Sequence, residues 1–180
     1  PGAEASHWGL SGGLQTHDPT IVRESGNTWW SASTGTGIGM KYSTNGGKTW
    51  TDGLPIFSRP LSWWKKYAPN MTTNDVWAPD LEYYRGRYYC YYSVSEFGKN
   101  NSAIGLVSCS SISKGDWRDD GVVLYSRYGS SKFNAIDPNL VVDAKGKPWL
   151  VYGSWFDGIH VVRLNQSTMK PTGSSIKIAY

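Results

Sequence analysis

The chain has 180 residues with a formal net charge of +4, and only 18% of its residues are charged. That length suits one ordinary domain with a core of its own. Lysine and arginine are scattered, with Lys65-Lys66 the longest basic run, so the clustered basic face that nucleic-acid binding needs is missing. No run of about 18 apolar residues offers a membrane span. Ten tryptophans and twelve tyrosines against four phenylalanines, with 21 glycines and nine prolines, favour an all-β chain rich in turns. Nowhere do apolar residues hold a helical period over a long stretch.

The opening "PGAEASHWGL" lacks a basic-then-apolar leader and reads as a mature or trimmed terminus. "THDPTIVRE" then gives an acidic turn at Asp18 followed by a strand, a turn at Gly26-Asn27, the aromatic strand "TWWSAS" and a third strand in "GIGMKYST". "STNGGKTW", residues 43–50, matches the Asp-box hairpin S-x-[DN]-x-G-x-T-W, in which asparagine and glycine make the turn and Trp50 folds back over it. The same order returns from "WAPDLEYY" at Asp80, through the Arg85-Gly86 turn, "RYYCYYSVS" and "SAIGLVSCS". It returns again from "NAIDPNLVV" at Asp137, through Lys145-Gly146, "PWLVYGSW" and "GIHVVRLN". Cys90 and Cys109 lie almost symmetrically about the Gly98–Asn101 turn, which leaves a cross-strand disulfide and two buried free thiols both open. Sequons occur at Asn70, Asn100 and Asn165.

A unit that recurs about every sixty residues, with three strands and a variable fourth, predicts an all-β β-propeller. The blades span about 14–58, 76–126 and 134–172 within one partial domain, 1–180. The innermost strand of a blade lines the central channel, so Asp18, Asp80 and Asp137 are expected to converge at its mouth. There, like charges raise the pKa of at least one of them. Such a group suits activation of a water, or a metal site. Trp77, Phe97, Trp155 and Phe156 stand near the same mouths and suit stacking on sugar rings.

"THDPTIV", "VWAPDLEYYRGRYYCYYSVSEFGKNNSAIGL" and "NAIDPNLVVDAKGKPWLVYGSW", in that order, resemble the endo-α-1,5-L-arabinanases of glycoside hydrolase family 43 from about Leu10 onward. The resemblance implies a five-bladed propeller, three blades of it here, that hydrolyses arabinan with inversion. It makes Asp18 the general base and Asp137 the carboxylate that tunes and orients the acid, while Asp80 is structural or supporting. Asn134, Ala135, Ile136, Gly98 and Ser154-Trp155-Phe156 would border the bound arabinose, and Trp77 and Phe97 would stack on sugars along the cleft. It implies secretion, no organic cofactor, no metal ligand in this chain, and a structural calcium in the channel held by a histidine outside it. The family's acid is a glutamate opening a fourth blade, and "SSIKIAY" reads as the approach to it. Glu4, Glu24 and Glu82 do not take that place, and Glu96, beside the cleft turn, is the sole stand-in. A second polypeptide carrying blades four and five is therefore expected as a partner, with arabinan or arabino-oligosaccharides as substrate. The other readings are an exo-acting arabinofuranosidase or xylosidase of the same family and a non-catalytic carbohydrate-binding propeller. A sialidase, suggested by the Asp-box, would need an arginine triad, and the arginines of this chain do not recur with the repeat.

Overall fold

The computed structural model describes residues 9–180, so Glu4 and most of the presumed terminus lie outside the described residues. Within the described residues there are three sheets and no α-helix. The first unit contains β1 (Ser11–Gly12), β2 (Thr20–Ser25), β3 (Thr28–Ser33), β4 (Gly35–Thr36), β5 (Gly39–Ser43) and β6 (Thr49–Asp52). The second contains β7 (Asp75–Tyr84), β8 (Arg87–Ser95), β9 (Ser102–Cys109) and β10 (Arg118–Ser126). The third contains β11 (Asn139–Val142), β12 (Pro148–Ser154), β13 (Gly158–Arg163) and β14 (Ile176–Ala179). Each sheet is an antiparallel meander of four strands. In addition, β1 lies parallel on the outer strand β6, and β4 crosses over to pair with β7 of the next blade.

The third sheet extends past residue 172, where its blade was expected to end. "IKIA" forms the outer strand of this sheet, paired with β13 through Val161↔Ile176 and Ile159↔Ala179. A tight return, with Leu164 bridged to Pro171, brings the chain back to make that pairing.

Successive side chains on a strand point to opposite faces, which explains why "YYCYYSV" is buried throughout. Tyr88, Cys90, Tyr92 and Val94 face the first blade, where they pack with Val22, Ala32, Met40, Phe57 and Trp64. Tyr89 and Tyr91 face the third blade and pack with Leu140, Leu150, Tyr152 and Val162. The middle blade is thus sandwiched, and its tyrosines find polar ends: the Tyr91 hydroxyl donates to the Met169 carbonyl at 2.6 Å and the Tyr88 hydroxyl to the Glu24 carbonyl at 3.1 Å. Cys90 and Cys109 are both free thiols in the core, because Cys109 is registered opposite Tyr88 while Cys90 is opposite Val107. Asn100 is also buried, its amide donating to the Ser131 and Phe133 carbonyls at 2.8 and 2.9 Å, so that sequon offers no free side chain.

The Asp-box hairpin forms as its residues require. Asn45 Oδ1 accepts the Thr49 N–H at 2.9 Å, and the Trp50 indole donates to the Gly47 carbonyl at 2.9 Å. A related turn joins β11 to β12, where the Asp143 carboxylate accepts the N–H groups of Lys145 and Lys147 and the Trp149 indole.

Candidate active site

The first strands of the three sheets, β2, β7 and β11, stand side by side and are tied by single side chains. The Leu81 N–H donates to Thr20 Oγ1 at 3.2 Å, joining β7 to β2, and the Leu140 N–H donates to Asp80 Oδ2 at 2.6 Å, joining β11 to β7. At the mouth of each strand a residue before proline adopts a left-handed backbone: Asp18 (φ 48°), Ala78 (φ 35°) and Asp137 (φ 53°). Such a conformation in a non-glycine residue costs on the order of 1–3 kcal/mol and persists only where its surroundings hold it. Hydroxyls at the end of the second strand of the preceding blade, one just past β3 and one within β8, hold the second and third of these. The Ala78 N–H donates to Thr34 Oγ1 at 2.6 Å, and the Asp137 N–H donates to Ser93 Oγ at 3.1 Å.

This geometry corrects one expectation. Asp80 does not share the phase of Asp18 and Asp137; Ala78 does. The proline sets the phase, and Asp80 lies two residues beyond Ala78, past an irregularity in the β7–β8 register between Trp77 and Asp80. Its carboxyl is buried between blades, and burial pushes its pKa up against the pull of the Leu140 N–H. Among the described residues the mouth therefore holds two of these three carboxylates. Burial, and after it the charge of Asp18, raises Asp137 above the usual aspartate range. Asp18 is half-exposed; its Oδ2 accepts the Thr34 hydroxyl at 2.7 Å and lies 3.2 Å from His17 Nε2. No hydrogen bond within the described residues uses Oδ1.

Asn134, Ala135 and Ile136 lead into Asp137, and all three are buried. Asn134 Oδ1 accepts the Ser102 hydroxyl at 2.6 Å and the Ala135 N–H donates to Ser126 Oγ at 2.9 Å, so this segment braces Asp137 from beneath. Trp77 and Phe97 line one groove of about 410 Å³ together with Asn70, Thr73, Asp75 and Glu96. Phe97 is 94% exposed at the tip of the β8–β9 turn, where Gly98 supplies the positive φ. A second cleft, of about 750 Å³, runs past His17, Thr34 and Thr36 on the first blade. On the third blade Trp155 and Phe156 stack at 4.3 Å, and Trp155 is largely exposed. The neighbouring Ser154 hydroxyl is buried with no hydrogen-bond partner in the described residues, and the Gly153 N–H on the Ile136 carbonyl, at 2.9 Å, joins this loop to the Asp137 segment.

Glu96 is unsuited to donate a proton. Burial would raise its pKa, but hydrogen bonds from the Asn70 N–H and the Asn101 and Asn70 amides outweigh that and hold it below the usual glutamate range. Glu24 is held low in the same way, with burial outweighed by hydrogen bonds from Ser113, Ser111 and Trp30. Glu82, raised by burial and by the charge of Asp80, sits on β7 away from the mouth. In the described residues no three His, Cys, Asp or Glu side chains are grouped to hold a metal ion. Sequence reading missed Thr34 and Ser93. A hydroxyl near the end of the second strand of successive units was the available signal for both.

The family description "Glycosyl hydrolases family 43" matches residues 13–180. The chain is 50% identical to the extracellular endo-α-(1→5)-L-arabinanase 1 of Bacillus subtilis, a match covering 98% of this chain and 54% of that protein. It superposes on the GH43 endo-arabinanase from Bacillus licheniformis with a TM-score of 0.90 at 51% identity, covering 96% of this chain and 59% of that one. It superposes on Cellvibrio cellulosa α-L-arabinanase complexed with arabinohexaose with a TM-score of 0.83 at 34% identity, covering 91% and 52%. The chain spans about half the length of the curated relatives it matches. With its three β-propeller blades and its paired mouth aspartates, the chain belongs to glycosyl hydrolase family 43.

Proposed function

We propose that this chain supplies the water-activating side of an inverting hydrolase that cleaves internal α-1,5 bonds of arabinan. The observation that carries this reading is the pairing of a half-exposed Asp18, with Oδ1 unengaged, and a more buried Asp137 that feels its charge. Asp18 Oδ1 takes a proton from water as the water oxygen bonds to the anomeric carbon. The glycosidic bond breaks, and its oxygen takes a proton from the acid. An inverting pair stands about 6.5–9.5 Å apart to admit that water. Asp137 keeps a neighbouring acid protonated by like-charge repulsion.

We place the acid among residues outside this chain, since Glu24 and Glu96 are held by hydrogen bonds and Glu82 sits on β7 away from the mouth. The expected second polypeptide, and a channel calcium completed by a histidine outside this chain, belong to the same proposal. The exposed Trp155 and Phe97 suit the faces of arabinose rings. Relatives named extracellular support action outside the cell. No helix in the described residues is long and apolar enough to cross a membrane.

The test is to incubate the natural full-length protein with debranched linear arabinan and follow both product size and nascent anomer. Oligosaccharides appearing before free arabinose, with inverted configuration, are expected. Arabinose as the sole early product would make the enzyme exo-acting, and retained configuration would remove the base mechanism.

A further inference from the structure

We propose that Thr34 is a positioning residue for the base: its hydroxyl relays the Ala78 N–H to Asp18 Oδ2, committing that oxygen to the fold and presenting Oδ1 to water. This inference rests on the reading of Asp18 as the base.

Thr34 is fixed at both ends. Its N–H donates to the His17 carbonyl at 2.9 Å, clamping it against the turn that carries Asp18. Its Oγ1 accepts the Ala78 N–H at 2.6 Å. A hydroxyl has a single hydrogen to give, and with the N–H seated on the oxygen, that hydrogen goes to Asp18 Oδ2 at 2.7 Å. His17 Nε2 lies against the same oxygen at 3.2 Å. Both neighbours therefore hold one side of the carboxylate, which fixes its rotation. A base whose carboxylate is already oriented does not lose that freedom at the transition state.

Ser93 separates this role from simple blade-tying. It occupies the corresponding place on the second blade, and its oxygen accepts the Asp137 N–H at 3.1 Å. Both hydroxyls tie their blade to the next one. But the residue at the aspartate phase of the second blade is Ala78, which has no carboxylate for Ser93 to orient. Only on the first blade does the hydroxyl's own hydrogen go on to a carboxylate; Ser93 holds Asp137 by its backbone N–H alone.

The experiment measures kcat and KM on linear arabinan for the full-length protein and its Thr34→Val, Thr34→Ala, Thr34→Ser and Asp18→Asn variants. Losing a hydrogen bond to a charged group predicts a fall in kcat of about 10- to 100-fold for valine. KM should change less than about twofold, because the lost contact is not to substrate. Serine, which keeps the relay, should stay within about threefold of wild type in kcat. Alanine has no steric conflict and takes the place of valine if that variant does not fold. Inactive Asp18→Asn together with wild-type kcat in Thr34→Val or Thr34→Ala would overturn the relay and leave the base reading standing. So would a loss in Thr34→Ser equal to that in Thr34→Val. An active Asp18→Asn would overturn both.

Discussion

Asp80→Ala should destabilise the fold far more than Asp80→Asn. The Asp80 carboxyl is 7% exposed, and its Oδ2 accepts the Leu140 N–H at 2.6 Å, the side-chain tie from β7 to β11. Alanine leaves that N–H buried without a partner, at a cost of about 1.5–3 kcal/mol. For a domain of this size that is a fall in Tm of roughly 3–12 °C. Asparagine keeps an oxygen able to accept the bond and carries no charge to desolvate. The pH dependence has a definite sign. Burial raises the Asp80 pKa above its ordinary 3.8, so the contribution of this group is fully present below that value and is lost as pH rises through the folded-state value. Glu82, raised by burial and then by the charge of Asp80, follows the same sign. Asp80→Asn should therefore gain stability relative to wild type as pH rises through the acid range, then level off. Urea denaturation of the three proteins over a pH series reads all of this. Equal losses for alanine and asparagine, or an alanine cost below about 0.5 kcal/mol, would refute the tie.

Phe97→Ala should leave stability unchanged within about 0.5 kcal/mol, since the ring is 94% exposed. It should weaken arabino-oligosaccharide affinity about 3- to 10-fold by calorimetry if the ring stacks on sugar. Glu96→Gln should keep kcat at neutral pH within about threefold, whereas loss of a true acid would cost about 10²- to 10⁴-fold. Burial raises Glu96, but the hydrogen bonds from Asn70 and Asn101 win and hold it below its ordinary 4.5. Its stabilisation of the cleft lip is thus present above that value and lost as pH falls through the folded-state value. Proteolysis of the lip should accelerate in acid for wild type and lose that dependence in Glu96→Gln.

The repeat was legible because turn chemistry and aromatic strands are written locally: "TNGGKTW" and "RYYCYYSVS" each name their own hairpin or strand. The central placement of "RYYCYYSVS" was less so, since only the packed fold shows that both faces of that strand are covered. The phase of Asp80 is not legible from "WAPD" because the backbone repeats at the residue before proline, not at the carboxylate. The outer strand Ile176–Ala179 escaped for another reason. An edge strand buries little, every residue of this one is exposed, and its short apolar alternation carries no distinctive signal until β13 is there to pair with it. The aspartates themselves were readable from motif, but the hydroxyls that hold them come from strands far away in sequence, and a contact of that kind exists only in three dimensions.

The central claim is that Asp18 activates the attacking water, and the most direct measurement is reducing-sugar release from linear arabinan by the full-length protein and its Asp18→Asn variant, with oligosaccharide binding measured in parallel. The account predicts that hydrolysis falls at least about 10²-fold while binding is retained; near-normal hydrolysis by Asp18→Asn would contradict it.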